Sequence, residues 1–80
     1  MLSVHIAKVD KVLFSGKALS VTVPCTEGEV TILEHHLPFC SALKEGRVVV
    51  HQKNDSESTF FDIKNGGILE VTAQKASILL

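Results

Sequence analysis

The chain reads as an all-β protein, a flattened antiparallel sandwich or barrel of about eight to ten short strands. Three observations predict this. Apolar and polar residues alternate with period two in one segment after another. Turn signals built on Gly and Asn interrupt those segments at short intervals. No stretch of helix length sustains a 3.6-residue period.

The elements follow in order. Leu2, Val4 and Ile6 alternate with Ser3, His5 and Ala7, the pattern of a half-buried strand. Ser15-Gly16 then reads as a turn, because glycine accepts positive φ. Leu19, Val21 and Val23 alternate with Ser20 and Thr22 in a second strand, and Val30 and Ile32 flank Thr31 in a short third one. Glu27-Gly28 supplies the turn between those two. Leu37 to Lys44 is the one helical candidate, but it is short and Pro38 sits near its start, so it reads as loop plus strand. After Glu45-Gly46, the β-branched run from Arg47 to Gln52 reads as a strand buried on both faces. The polar stretch from Asn54 to Ser58 reads as a longer hairpin tip. Thr59 to Ile63, Ile68 to Thr72 and Lys75 to Leu80 complete the strands, with Asn65-Gly66 between the first two as the strongest hairpin mark. Of the neighbours Phe60 and Phe61, one ring is expected in the core and the other outside it.

Composition bounds the function. Eighty residues, 45% of them hydrophobic, make one small domain and not a disordered tail. Eight Lys plus Arg are scattered among nine Asp plus Glu, with no Trp or Tyr. That is not the clustered basic, aromatic-lined surface that nucleic acid requires. No apolar run approaches the roughly 20 residues of a membrane span. The start of the chain lacks a charged region followed by an apolar stretch, so no signal peptide is expected. Cys25 and Cys40 do not make a disulfide framework, and they read as free thiols in a reducing compartment.

No catalytic constellation stands out. His35 and His36 are adjacent, with Cys25, Glu34 and Cys40 nearby in sequence, but the spacing of a zinc site is absent. Neighbours in extended chain point to opposite sides, so the two histidines do not readily share a metal. A Cys–His nucleophilic pair needs an oriented histidine and a cleft, for which so small a sandwich has little room. Glu27 and Glu29 share a face of a strand as a solvated edge. Asn65-Gly66-Gly67 lacks the frame of a phosphate loop.

Two stretches carry a resemblance. The first runs Pro24-Cys25-Thr26-Glu27-Gly28-Glu29-Val30-Thr31-Ile32-Leu33-Glu34-His35-His36-Leu37-Pro38 and continues through Leu43-Lys44-Glu45-Gly46. The second is Phe60-Phe61-Asp62-Ile63-Lys64-Asn65-Gly66-Gly67-Ile68-Leu69-Glu70-Val71. With Phe14-Ser15-Gly16 near the start, they resemble the N-terminal β-sandwich of the epsilon subunit of F-type ATP synthases, over nearly the whole chain. Cys25 and Thr31 stand where that family usually has Gly, and Glu34-His35 stands for Pro-Gly, while His36 and Pro38 keep its His-x-Pro.

The resemblance implies a central-stalk subunit that does no bond chemistry and needs neither cofactor nor metal. It implies two partners, the gamma subunit and the c-ring, and a role in coupling ion-driven rotation to ATP synthesis. It implies a peripheral position on the cytoplasmic face of the inner (plasma) membrane. By position, the partner interface would comprise Glu29, Ile32, His35, His36, Leu37, Pro38 and Phe39. Glu29 and His36 would make polar contacts to c-ring loops, and Pro38 would shape its loop. Family members usually continue into a two-helix C-terminal region, so a chain stopping at Leu80 reads as a short form without that region's self-inhibition. Two rival readings stay beside this one: a stand-alone sandwich adaptor with another protein partner, and an enzyme or metal protein using Cys25, Cys40, His35 and His36.

Overall fold

A computed structural model describes residues 1–35, 37–52 and 58–80. It contains nine strands: β1 (Leu2–Lys8), β2 (Lys11–Ala18), β3 (Ser20–Cys25), β4 (Gly28–Leu33), β5 (Phe39–Leu43), β6 (Gly46–His51), β7 (Ser58–Ile63), β8 (Gly67–Val71) and β9 (Lys75–Leu79). They form one curled sheet in the order β2-β1-β9-β8-β5-β3-β6-β7, with β4 on the other side of β3. The all-β sandwich or barrel expected from period two is therefore the fold.

The alternation translates directly into a core. Leu2, Val4 and Ile6 of β1, Val21 and Val23 of β3, Val48 and Val50 of β6 and Leu69 and Val71 of β8 are all buried. Ala76 and Ile78 of β9 join them. The two ends of the sheet order come together through their side chains. Phe14 of β2 meets Phe61 of β7 edge to face, with ring centroids 6.0 Å apart at 68°. This T-shaped contact matches the ring quadrupoles and closes one side of the core. Phe61 packs against the core and Phe60 points out, as neighbouring strand residues must.

β3 is the strand on which the curl turns. It pairs with β6 from Ser20 to Thr22, and then with β5 at Cys25. Pro24 sits between these two ladders. Its carbonyl accepts from the Lys44 N–H at 2.9 Å. The N–H that proline lacks would face the same side, where the ladder to β6 has ended, so no bond is lost. Gly46 completes the corner. A Cβ placed on it would lie 2.9 Å from the Pro24 Cβ, so only glycine allows this approach.

Four local readings are corrected. Ser15-Gly16 is not a turn: both residues lie inside β2, which sequence alternation alone leaves unmarked. The ladder explains why, since Gly16 pairs with Val4 and Ser15 with His5 in a regular antiparallel register. Asn65-Gly66 does not close a hairpin. β7 pairs with β6 while β8 pairs with β5 and β9, so the segment is a crossover from one part of the sheet to another. Gly66 has φ 81° there, and a Cβ on it would lie 2.8 Å from the Leu43 carbonyl oxygen. The glycine serves a close backbone approach rather than a tight turn. The run from Arg47 to His51 is buried on one face only, because Val49 is half-buried and Arg47 and His51 are exposed. One ladder is parallel rather than antiparallel: β1 and β9 run in the same sense from Ser3↔Lys75 to Ala7↔Leu79. No hairpin joins these two strands, so no turn dictates opposite directions. The polar tip at 54–58 lies, except for Ser58, outside the described residues.

Candidate interaction faces

Strand direction sorts the loops onto two rims. The β3–β4 turn, the β5–β6 turn at Lys44 and Glu45 and the β7–β8 crossover share one rim. The β4–β5 loop and the β8–β9 turn share the other. Across each layer, residues that pair in register form rungs whose outer side chains face solvent.

The residues expected at a partner interface do not form one cluster. Glu29 is exposed at the start of β4, paired with Pro24 beside the β3–β4 turn. His35, Leu37 and Pro38 lie past the opposite end of the same strand. At about 3.3 Å per residue, the four steps from Glu29 to Leu33 alone separate them by about 13 Å. Ile32 leaves the set altogether. It is 0% exposed and packed in the core, because Val30 and Ile32 share the inward side of β4 while Glu29, Thr31 and Leu33 share the outward side. Leu37 is 80% exposed, Pro38 is exposed, and Phe39 is half-buried against the core. His36 lies outside the described residues.

The loop entry has its own fixings. His35 adopts φ 67°, a left-handed conformation that histidine visits more readily than most side chains. Its N–H donates to the Ala73 carbonyl at 2.7 Å, tying the β4–β5 loop to the β8–β9 turn. The Met1 ammonium donates to Glu34 Oε2 at 3.0 Å. That hydrogen bond, more than the added attraction of the ammonium, His35 and Lys17, holds the Glu34 carboxyl below its ordinary pKa.

The outer face of the β4-β3-β6-β7 layer is mixed. Thr22 and Thr31 hydroxyls lie 2.9 Å apart across the β3–β4 ladder. The Arg47 guanidinium stands 5.2 Å above the Phe60 ring, and its Nε lies 3.4 Å from Asp62 Oδ1. Ser58 Oγ and His51 Nδ1 are 2.9 Å apart. Cys25 is buried and Cys40 exposed, both as free thiols. Among the described residues, no three His, Cys, Asp or Glu side chains converge as metal ligands.

Sequence reasoning missed the most distinctive surface, the outer face of β2-β1-β9-β8-β5. The register Val12↔Ala7↔Leu79↔Ile68↔Ala42 sets five apolar residues in one rung across five strands. Ile68 is 59% exposed, Val12 58% and Leu79 50%. A bulge makes the rung complete: pairing shifts after Ile6↔Phe14 to Ala7↔Val12, with Leu13 as the extra residue. The neighbouring rung reads Ser15↔His5↔Ser77↔Glu70↔Cys40. Between the two lies a shallow groove of about 320 Å³ lined by His5, Ala7, Ile68, Glu70 and Leu79. The signal was present in β8: Leu69 and Val71 fill the inward positions, so an isoleucine at 68 is a surplus apolar residue on the outward side.

Comparison with known proteins gives a consistent picture. The family described as "ATP synthase, Delta/Epsilon chain, beta-sandwich domain" matches residues 1–80. The chain is 35% identical over 78 residues to the ATP synthase epsilon chain of Halorhodospira halophila, covering 98% of this chain and 55% of that protein. It is 40% identical over 81 residues to the epsilon chain of Aquifex aeolicus, covering 99% and 57%. The chain thus spans little more than half the length of these relatives. Among solved structures, it superposes with a TM-score of 0.88 on a chain of the Euglena gracilis mitochondrial ATP synthase OSCP/F1/c-ring structure, at 19% identity, covering 98% of this chain and 49% of that one. A second match, at a TM-score of 0.75 and 19% identity, is to a chain of the Tetrahymena thermophila mitochondrial ATP synthase central stalk/c-ring structure, covering 98% and 61%. At that identity these likenesses speak for the fold.

Proposed function

Because the chain belongs to the ATP synthase delta/epsilon family through its β-sandwich domain, we propose that it acts as a central-stalk subunit that grips gamma on one side and rests on the c-ring at one rim. Its work is mechanical. It performs no bond chemistry, and it helps hold gamma to the ring so that ion-driven rotation reaches the catalytic head. It sits at the cytoplasmic face of the inner (plasma) membrane as a peripheral part of the complex.

The observation that carries this reading is the exposed apolar rung on the outer face of β2-β1-β9-β8-β5. Isolated exposed apolar residues are ordinary, but five in register across five strands make a contiguous patch, the usual mark of a protein partner. Charged residues are depleted at the centres of such interfaces, as they are along this rung. The separation of Glu29 from the β4–β5 loop also fits two partners better than one. Glu29 serves the rim that meets the ring, and the loop at 34–38 serves the side toward gamma.

Charge reversal at Glu29 tests the assignment. The Glu29→Lys chain should fold like the parent, because Glu29 is exposed and outside the core. It should bind a reconstituted c-ring–gamma assembly more weakly, measured by co-sedimentation. Unchanged binding to the ring would remove Glu29 from the interface, and failure of the parent chain to bind gamma would favour the adaptor reading.

A further inference from the structure

The outer face of β2-β1-β9-β8-β5 is graded along its strands. Its apolar rung lies toward the rim of the β7–β8 crossover, and the rung of His5, Ser77 and Glu70 lies in the middle. Toward the opposite rim a third rung pairs Lys17 with Ser3 and Ser3 with Lys75. Lys17 Nζ donates to Ser3 Oγ at 2.9 Å, which holds one ammonium over the face. Successive rungs are two residues apart, about 7 Å along the strands.

Charge divides between the layers in the same sense. Lys8, Lys11, Lys17 and Lys75 fall on β1, β2 and β9, against Asp10 and Glu70 on this side. On β3 to β7 and their connections, acids outnumber bases among the described residues, with Glu27, Glu29, Glu34, Glu45 and Asp62 against Lys44, Arg47 and Lys64. A near-neutral chain is therefore polarised, with its cationic excess on the layer that carries the apolar rung.

We propose that this face docks an amphipathic, acid-bearing segment of its rotor partner. Apolar side chains of that segment cover the Val12–Ala7–Leu79–Ile68–Ala42 rung, and carboxylates lie above Lys17 and Lys75. The proposal rests on the central-stalk reading above and adds the chemistry of the bound segment. The shallow groove beside Ile68 gives an apolar side chain a seat lined by His5, Ala7, Glu70 and Leu79, where a flat patch would give none. Covering this face with a neutral segment would desolvate the Lys17 and Lys75 ammonium groups with no carboxylate on the segment to face them, which is costly. An acidic segment converts the same burial into opposed charges, which speeds encounter and fixes register.

The test uses gamma-bearing rotary core stripped of its own epsilon chain and immobilised for interferometry, with the full 80-residue chain as analyte. Ile68→Ser should weaken binding about tenfold, as loss of a central apolar anchor does. The double reversal Lys17→Glu/Lys75→Glu should slow association about tenfold and flatten its dependence on salt. Thermal melts confirm that each variant is folded. If the parent binds and the folded variants bind equally well, the face is not the docking surface and the proposal falls while the stalk reading stands. Tighter binding by the lysine reversals would overturn the acidic partner. Capture of the chain by phosphatidylglycerol vesicles, lost in the same variants, would show a lipid surface as the occupant instead. A parent chain that does not bind the core overturns both this proposal and the stalk reading.

Discussion

Replacing Ile32 by Ala separates a core role from an interface role at a position where family position alone suggests the interface. Ile32 is fully buried and pairs with Val21, itself fully buried, across the β3–β4 ladder. Truncating such a side chain removes its transfer free energy and leaves a cavity, at a cost of about 2–5 kcal/mol. The rigid ladder on one side and the Val30 neighbour on the other limit collapse, which points to about 3–4 kcal/mol. A domain of this length has only about 4–12 kcal/mol in hand, so the variant should lose about a quarter or more of its stability. Its melting temperature should fall by more than about 12 °C, at about 4 °C or more per kcal/mol for a small domain. Urea unfolding followed by far-UV circular dichroism measures this directly, with Ile32→Val as a graded control costing about 0.5–1.5 kcal/mol. Leu33→Ala, one residue on but 56% exposed and outward, should stay within about 1 kcal/mol of the parent. Ile32→Ala within 1 kcal/mol of the parent, together with weakened partner binding, would refute the placement of Ile32 in the core.

Three further outcomes follow from the geometry. Gly66→Ala should destabilise by about 1–3 kcal/mol in the same urea assay, because it forces φ 81° on an L side chain and sets a Cβ against the Leu43 carbonyl. Cys40 should react at once with a thiol reagent in the native chain, while Cys25 should react only on unfolding, as counted by mass spectrometry. Glu34 has a folded pKa below its unfolded value, so its contact with the Met1 ammonium stabilises at pH values above the ordinary glutamate range and is lost as pH falls through and below it. Glu34→Gln should therefore flatten a small part of the acid limb of a stability–pH curve.

Much of the architecture is legible in the alternation of β1, β3, β8 and β9, because a strand with one buried face cannot slip by a residue without exposing its core. What escaped reading is non-local. The turn chemistry of Asn65-Gly66 is real, but nothing within five residues of it says that β7 and β8 have different partners. Gly16 and Gly66 look alike in sequence, yet one lies in a regular ladder and the other allows a close approach to Leu43. β2 hides because its Lys11, Val12 and Ser15 are all exposed at a bulged edge, so its pattern is not that of a half-buried strand. The candidate interface divides in the same way. Glu29, Leu37 and Pro38 are exposed, whereas Ile32, which family position put at the interface, turns inward with Val30. Ile68 alone hinted at the apolar rung, whose residues come from five strands and meet only through register.

The change of partner along β3 bears on how the molecule carries load. Two apolar layers held only by side-chain packing can slide past one another under a sideways force. Here one continuous strand is hydrogen-bonded to β4 and β6 and, past Pro24, to β5. A push on either outer face reaches the other through covalent chain and ladder bonds, so the two faces shear as one body. Under the central-stalk proposal, a part turning between two partners needs that property.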